Sequence, residues 1–450
     1  MGGRDCLTVP FFLFLALISC ASALNNAYAT SKPKPQLITP KTDKTLQFPL
    51  GKIAFSLIPL TPESVGRRKT LLVEVVKGKI WTLDQLQGII NVNVPVRCVI
   101  VKLKSGGLFI NNPVAPTEEC VNFVKDLEMK YGKVKYIVLS SLALEHKGTI
   151  GAFSRYFPSA EVYVQPQQFS FPLNLPIGTF FPLGKRIREI PLDSSAAPWF
   201  DEGIDHTSLN VQPSGLGGYA ETAFFHRESR TLLITDIVIK VPDEAPDIIQ
   251  EDPRSILFHS RDRMLDPVVD NKQTRLRGWR RMVIFALTFN PSGIKVCTWR
   301  DTFRNLQFVS EEVRLLGEGC VPVNGGLYPW EWVQSEVPNF KSLQGGLLVA
   351  PILQKLLLNR EPDKVIAFVN EVRKWDVKRI IPAHFSNDIR VSSSAEFSRA
   401  FTFLESSNGA RKRGTVVPNE KDCQLLIDAS DLLAKLGILK PVKEATLRLL

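Results

Sequence analysis

VKYIVLSSLALEHKG, Val134 to Gly148, is the stretch on which the fold turns. Its first half is a β-branched and apolar run, set off by Gly132 in front and Gly148 behind. Such a run suits a strand buried on both faces better than a surface helix. Its second half is a polar loop carrying Glu145 and His146. The carboxyl end of a buried strand is where α/β folds place ligands.

Two later stretches share this build: RTLLITD (Arg230 to Asp236) ends in an acid and VKRIIPAH (Val377 to His384) in an imidazole. Together the three resemble the metal motifs of the metallo-β-lactamase superfamily, whose first motif runs His-x-His-x-Asp-His after a strand. Laid on that pattern, the ligand positions fall on Ser141, Ala143, Glu145 and His146. Asp236 resembles the family's bridging aspartate and His384 its last histidine. QPSGLGG (Gln212 to Gly218) stands where the family carries a further histidine and holds none. Each motif is weak alone; their order and strand-end setting make the resemblance specific. It implies an α/β (α+β) fold: an αββα sandwich over residues 46–390 with a long insertion at 242–345 and a helical tail at 391–450.

The family builds two metal seats, one of three histidines and one of aspartate, histidine, bridging aspartate and last histidine. Here the first has lost its imidazoles, whereas the second keeps Glu145, His146, Asp236 and His384. That set implies at most one ion, and its oxygen and imidazole donors suit zinc, iron or manganese. Glutamate in place of aspartate moves the carboxylate by about 1.5 Å, while ligand distances tolerate only about 0.2 Å. The alternative is a relic pocket without metal, in which Glu145 and His146 hydrogen-bond each other. The expected function is that of a degenerate member of the superfamily, non-catalytic or ligand-binding, with a mononuclear metal-dependent hydrolase as the alternative. No catalytic residue is assigned.

Further stretches, WTLDQLQG (Trp81 to Gly88), PVAPT (Pro113 to Thr117), QPQQFSFPLNLP (Gln165 to Pro176) and YPWEW (Tyr328 to Trp332), resemble an uncharacterised group of photosynthetic organisms. That group is described only as a domain of unknown function within this fold; the resemblance covers most of residues 76–390.

With 450 residues, 44 % of them hydrophobic, the chain can bury one large core or two modest ones. No interior run reaches the roughly 18 apolar residues of a membrane span. The longest, Gly345 to Leu358, reads as a core helix. The net charge of +11 is dispersed among 45 acidic residues, which favours a small-molecule or protein partner over nucleic acid. Two basic clusters remain, KQTRLRGWRR (Lys272 to Arg281), expected as a solvated helix face with Trp279 tucked inside, and Arg411 to Arg413, expected in a loop.

Residues 1–23 have the form of a cleaved signal peptide, with an apolar stretch Val9 to Cys20 and an Ala21-Ser22-Ala23 exit. Residues 24–45 form a linker or transit-like segment, basic and free of acid as far as Thr42. The expected route is the secretory pathway, with the plastid by bipartite targeting or secretion as its end. Past the leader Cys98, Cys120, Cys297, Cys320 and Cys423 are odd in number, which leans towards a reducing compartment.

Along the chain, strands are expected from Val94, with Arg97 to Leu103 and Leu108 to Ile110 as a hairpin. A helix capped by Thr117 ends at Gly132, a second spans Thr149 to Phe157, and a strand Glu161 to Val164. His206 and His226 are expected on strands, His226 at a surface turn, and His259 in solvent. A helix from Glu361 to Trp375 precedes the strand that presents His384, and a last one spans Glu420 to Leu436.

Overall fold

The computed structural model describes residues 69–89, 92–170, 175–176, 187–214, 218–316, 327–405 and 415–450. The leader, the segment 24–45, the expected domain start at residue 46, Cys320, Arg411 to Arg413 and parts of the 165–176 and 212–218 stretches lie outside the described residues.

Strands begin before Val94: β1 (Leu71–Val76) and β2 (Ile80–Ile89) precede β3 (Val92–Lys102). β4 (Leu108–Asn111) returns antiparallel to β3. Gly107 closes that hairpin at φ +92°, and a Cβ there would sit 2.7 Å from the Lys133 carbonyl, so glycine is required. Helix α1 (Glu118–Tyr131) starts on Thr117, whose Oγ1 accepts from Cys120 N at 3.1 Å. It buries Cys120, Val124 and Leu127. β5 (Val134–Leu139) then pairs parallel with β4 on one side and with β6 (Glu161–Val164) on the other.

Between them, α2 (Leu144–Ser154) corrects the expected helix. It begins five residues early, so Glu145 and His146 stand in its first turn and not in a loop. The N–H groups of His146 and Lys147 both reach the carbonyl of Ala143, and the helix dipole favours a carboxylate at that end.

β7 (Ile187–Glu189) completes a seven-stranded sheet ordered β1 to β7. The second sheet opens with β8 (Ile204–Val211), β9 (Tyr219–His226) and β10 (Thr231–Leu233). After the insertion, whose β11 (Ile294–Val296) and β12 (Trp330–Trp332) pair only with each other, β13 (Arg379–Ile381) and β14 (Ile389–Arg390) finish it. The second sheet is thus ordered β8-β9-β10-β13-β14, with β10 and β13 parallel.

Three apolar layers separate these elements. One lies under α1 and α2 on the outer face of the first sheet, around Cys98, Ile110, Val124, Ile137 and Phe153. One lies between the sheets, where Val99, Phe109 and Val138 meet Phe224, Leu233 and Ile381 around Trp199. The third covers the outer face of the second sheet with α3 (Arg254–His259), α4 (Lys272–Thr288) and α5 (Pro362–Arg373). This helix-sheet-sheet-helix layering follows from two sheets each needing both faces covered. Phe397, Phe401 and Leu449 belong to the third layer too, and Arg360 on the domain donates to Ser430 of α6 (Gln424–Lys435).

Four further expectations are corrected. His259 is fully buried against Phe258, Phe285 and Trp330, because the insertion builds its own aromatic core. His226 does bond a neighbour, Ser229 Oγ at 2.7 Å, but it is buried on β9. Gly345 to Leu358 is helical only from Pro351; before it Leu348 pairs as a bridge with Ile239. Lys272 to Arg281 is not a free basic face. Arg275 is paired with Asp270, Lys272 with Glu244, and Arg281 is buried between Asp262 and Glu336 over the Trp332 ring. Gly278 is needed there, since a Cβ would lie 1.7 Å from the Ile256 carbonyl of α3. Trp279 is buried and donates to the Pro242 carbonyl.

Burial lowers the pKa of His226 from its ordinary 6.5 to about 4. The unfolded chain therefore takes up this proton first, and the neutral ring contributes stability above pH 6.5 that is lost as pH falls towards 4. The loss reaches about 3 kcal/mol at most. Thermal unfolding of wild type and His226→Gln between pH 7.5 and 4.5 tests it. The variant should have the shallower acid slope, and equal slopes would refute the assignment.

Candidate metal centre

The parallel pairing of β10 and β13 builds half of the centre. Leu232 faces Ile380 and Leu233 faces Ile381, and the ladder runs on past both strands through Ile234 N to Ile381 O and Ala383 N to Thr235 O. Residues three beyond each strand end are therefore neighbours, and these are Asp236 and His384. Their contact is His384 Nε2 to Asp236 Oδ1 at 2.8 Å.

The other half comes from the end of β5. Thr222 N donates to Ser140 O at 2.7 Å and Leu142 N to Ala220 O at 3.2 Å, so β9 of the second sheet grips the chain as it leaves the first. This brings the start of α2 over Asp236, with His146 Nε2 3.5 Å from its Oδ1. One donor atom from each of Glu145, His146, Asp236 and His384 lies within 4.8 Å of every other. His146 and His384 are buried, Glu145 and Asp236 partly so.

Of the remaining motif positions, Ser141 donates to Asp236 Oδ2 at 3.1 Å. Ala143 only caps α2, and Gln212 bonds Gln167 and Asn210. The Glu145 to His146 bond of the relic alternative is not made through Nε2, which is buried without a hydrogen-bond partner.

His384 Nδ1 lies 2.7 Å from the carbonyl of Pro95 and Nε2 2.8 Å from Asp236 Oδ1; both partners accept, so both ring nitrogens donate, and it is Nε2 that faces the cluster. Burial opposes ionisation of Asp236, but the imidazoles of His146 and His384 more than offset it and hold its pKa below the ordinary carboxylate range. Burial also works against charge on His384, yet Asp236 raises its pKa. Beside them on α2, burial pushes Lys147 down to about 8.

Several supporting residues lie outside the motifs. Asn112 Oδ1 accepts from Ser140 N and Oγ, while its Nδ2 donates to Thr235 Oγ1, tying the ends of β4, β5 and β10 together. Arg97 is buried and binds Asp84 through two bonds, and its Nη1 and Nη2 reach the carbonyls of Pro382 and Phe385 on either side of His384. Glu221, fully buried on β9, accepts from the N–H groups of Thr235, Asp236 and Ile237. The sequence signal for Glu221 is an acid inside the apolar strand YAETAFFH.

Two packed sheets with helices outside carry a histidine and carboxylate cluster at the ends of their strands. The sequence profile of the family described as domain of unknown function (DUF4336) matches residues 77–403, and the chain belongs to that family. No curated protein sequence matches it. The chain is similar to a metallo-β-lactamase from Pontibacter korlensis, at 15 % identity over 39 % of this chain and 76 % of that one, with a TM-score of 0.29. It is similar to the metallo-β-lactamase FIM-1 from Pseudomonas aeruginosa in its mono-zinc form, at 11 % identity over 38 % and 70 %, TM-score 0.29. The metal-soaked Flv1 flavodiiron core from Synechocystis aligns over 76 % of this chain and 62 % of its own, at 9 % identity and TM-score 0.38. Among the described residues no helix is long and apolar enough to cross a membrane. No disulfide joins Cys98, Cys120, Cys297 and Cys423.

Proposed function

We propose that this chain is a one-metal, ligand-binding member of the metallo-β-lactamase-like fold that has given up two-metal hydrolysis. The observation that carries the reading is His146 Nε2, a buried ring nitrogen that stands 3.5 Å from Asp236 Oδ1 without a well-formed hydrogen bond and faces His384 as well. An orphaned buried nitrogen is costly in an empty pocket and is supplied with a partner by a cation. Glu145, His146, Asp236 and His384 would hold the ion, which suits zinc, iron or manganese. When bound, the ion would supply a buried positive charge that draws an anionic group of a ligand towards the site.

Two features favour binding over turnover. Four protein donors fill a tetrahedral shell and leave no open position for water. Ser141 occupies Asp236 Oδ2, the oxygen that a bridging role would turn to a second ion. The alternative of a mononuclear hydrolase draws on the partial exposure of Glu145, which would open a position if it stood aside. A nucleic-acid partner draws little support from Lys272 to Arg281, where Lys272, Arg275 and Arg281 are paired with acids. The leader and the basic segment behind it support entry into the secretory pathway and onward delivery to the plastid.

Elemental analysis of the purified chain, after equilibration with each metal in turn, tests the reading. One ion per chain is expected, with no metal-dependent hydrolysis of ester, lactam or phosphodiester probes above the His384→Ala background. A chain that takes up none of the three metals defeats it; metal-dependent turnover moves the conclusion to the hydrolase.

A further inference from the structure

We infer that Glu221 is a positioning residue of the metal centre, one that sets where Asp236 presents its carboxylate. The inference rests on the one-metal reading above for its effect on affinity, but its geometry stands without it. Glu221 projects from β9 and is fully buried. Glutamate is rarely buried to this degree unless it is paired with a cation, and none of its hydrogen-bond partners is one. Oε1 accepts from Thr235 N at 2.6 Å, and Oε2 accepts from Asp236 N at 2.8 Å, Ile237 N at 2.9 Å and the Tyr219 hydroxyl at 2.7 Å.

Three successive backbone N–H groups converging on one carboxyl group form a nest, and here the protein itself fills it. The nest fixes the backbone on both sides of Asp236. The same residue also controls the carboxylate's other contact. The main chain of Glu221 forms an isolated bridge with Ser141, whose hydroxyl donates to Asp236 Oδ2. Glu221 therefore registers two loops against each other, the one that leads into Glu145 and His146 and the one that carries Asp236. Partners that orient a ligand in this way typically change metal affinity by about 10- to 100-fold when removed.

The test compares Glu221→Gln with Val369→Ala, a substitution at a buried position on α5 in the core beyond the second sheet. Gln keeps one acceptor oxygen but turns an amide N–H towards backbone donors. Zinc dissociation constants are measured by chelator competition. Glu221→Gln should bind about 10- to 100-fold more weakly, and Val369→Ala should match wild type despite its loss of stability. In the metal-free protein, the imidazole N–H resonance of His384 that reports its bond to Asp236 should shift or vanish in Glu221→Gln only.

Unchanged affinity and an unchanged resonance in Glu221→Gln would overturn the inference. If wild type binds no zinc, the metal reading fails while the resonance still decides the positioning role. If Glu221→Gln does not fold, Tyr219→Phe takes its place, with an affinity loss of about threefold expected from one hydrogen bond and no change refuting the role.

Discussion

Arg97→Ala is expected to cost the fold about 3–5 kcal/mol, the range for breaking one side of a buried ion pair. Arg97 and Asp84 are both buried, joined by Nε to Oδ1 at 2.8 Å and Nη2 to Oδ2 at 2.7 Å. Removing the guanidinium strands an ionised carboxylate between the sheets and frees the Pro382 carbonyl, held at 2.6 Å, and that of Phe385, at 3.2 Å. Against a total stability of about 5–15 kcal/mol, such a loss leaves a marginal protein. Urea unfolding followed by circular dichroism measures it. The paired variant Arg97→Met with Asp84→Leu should recover most of the stability, because replacing both charges by apolar groups is commonly neutral or better. It should not recover metal affinity, since the carbonyls that Arg97 holds flank His384. A single variant that loses less than about 1 kcal/mol, the value of an exposed ion pair, would show that the clamp is not what holds this loop.

The strand ends are legible in the amino-acid order because a buried strand must be apolar along its length and can turn polar only where it leaves the core. That constraint marks Val134 to Leu139, Thr231 to Leu233 and Arg379 to Ile381, and each leads to a site residue within a few positions. What links the motifs is not legible there, because it is set by pairing across the two sheets. Arg97 reads as one more residue of an alternating strand, yet its partners include carbonyls nearly 290 positions away. Glu221 reads as an interruption in β9, and only the fold lays the loop at Thr235 to Ile237 over it. The burial of His259 is hidden for the same reason. An imidazole beside basic residues looks solvent-bound, and only the distant Tyr328 to Trp332 stretch turns its surroundings into an aromatic core. The start of α2 escapes a reading by residue type because its N-cap, Ala143, has no capping side chain. The turn is made by the Ala143 carbonyl instead, which no residue type announces.

His384→Ala is expected to abolish metal binding, weakening it by more than about 100-fold. The imidazole is already committed in direction, with Nδ1 donating to the Pro95 carbonyl and Nε2 2.8 Å from Asp236 Oδ1. Little ordering is left to be done when an ion arrives, so deletion removes a preformed donor. The three that remain are a glutamate on the first turn of α2, one imidazole and a carboxylate whose neighbour has gone, so water must replace the lost imidazole and the preformed geometry is no longer held. His226→Ala is the control: a buried histidine on β9 with its own partner in Ser229, outside the cluster, whose loss should leave metal content unchanged. Calorimetric zinc titration with elemental analysis after gel filtration reads both variants, and circular dichroism confirms that each is folded. If His384→Ala keeps one tightly bound ion, the ion sits elsewhere and the cluster is structural. If wild type holds two ions per chain, Ser141 and Ala143 do not stand at lost ligand positions, and the single-seat assignment falls with them.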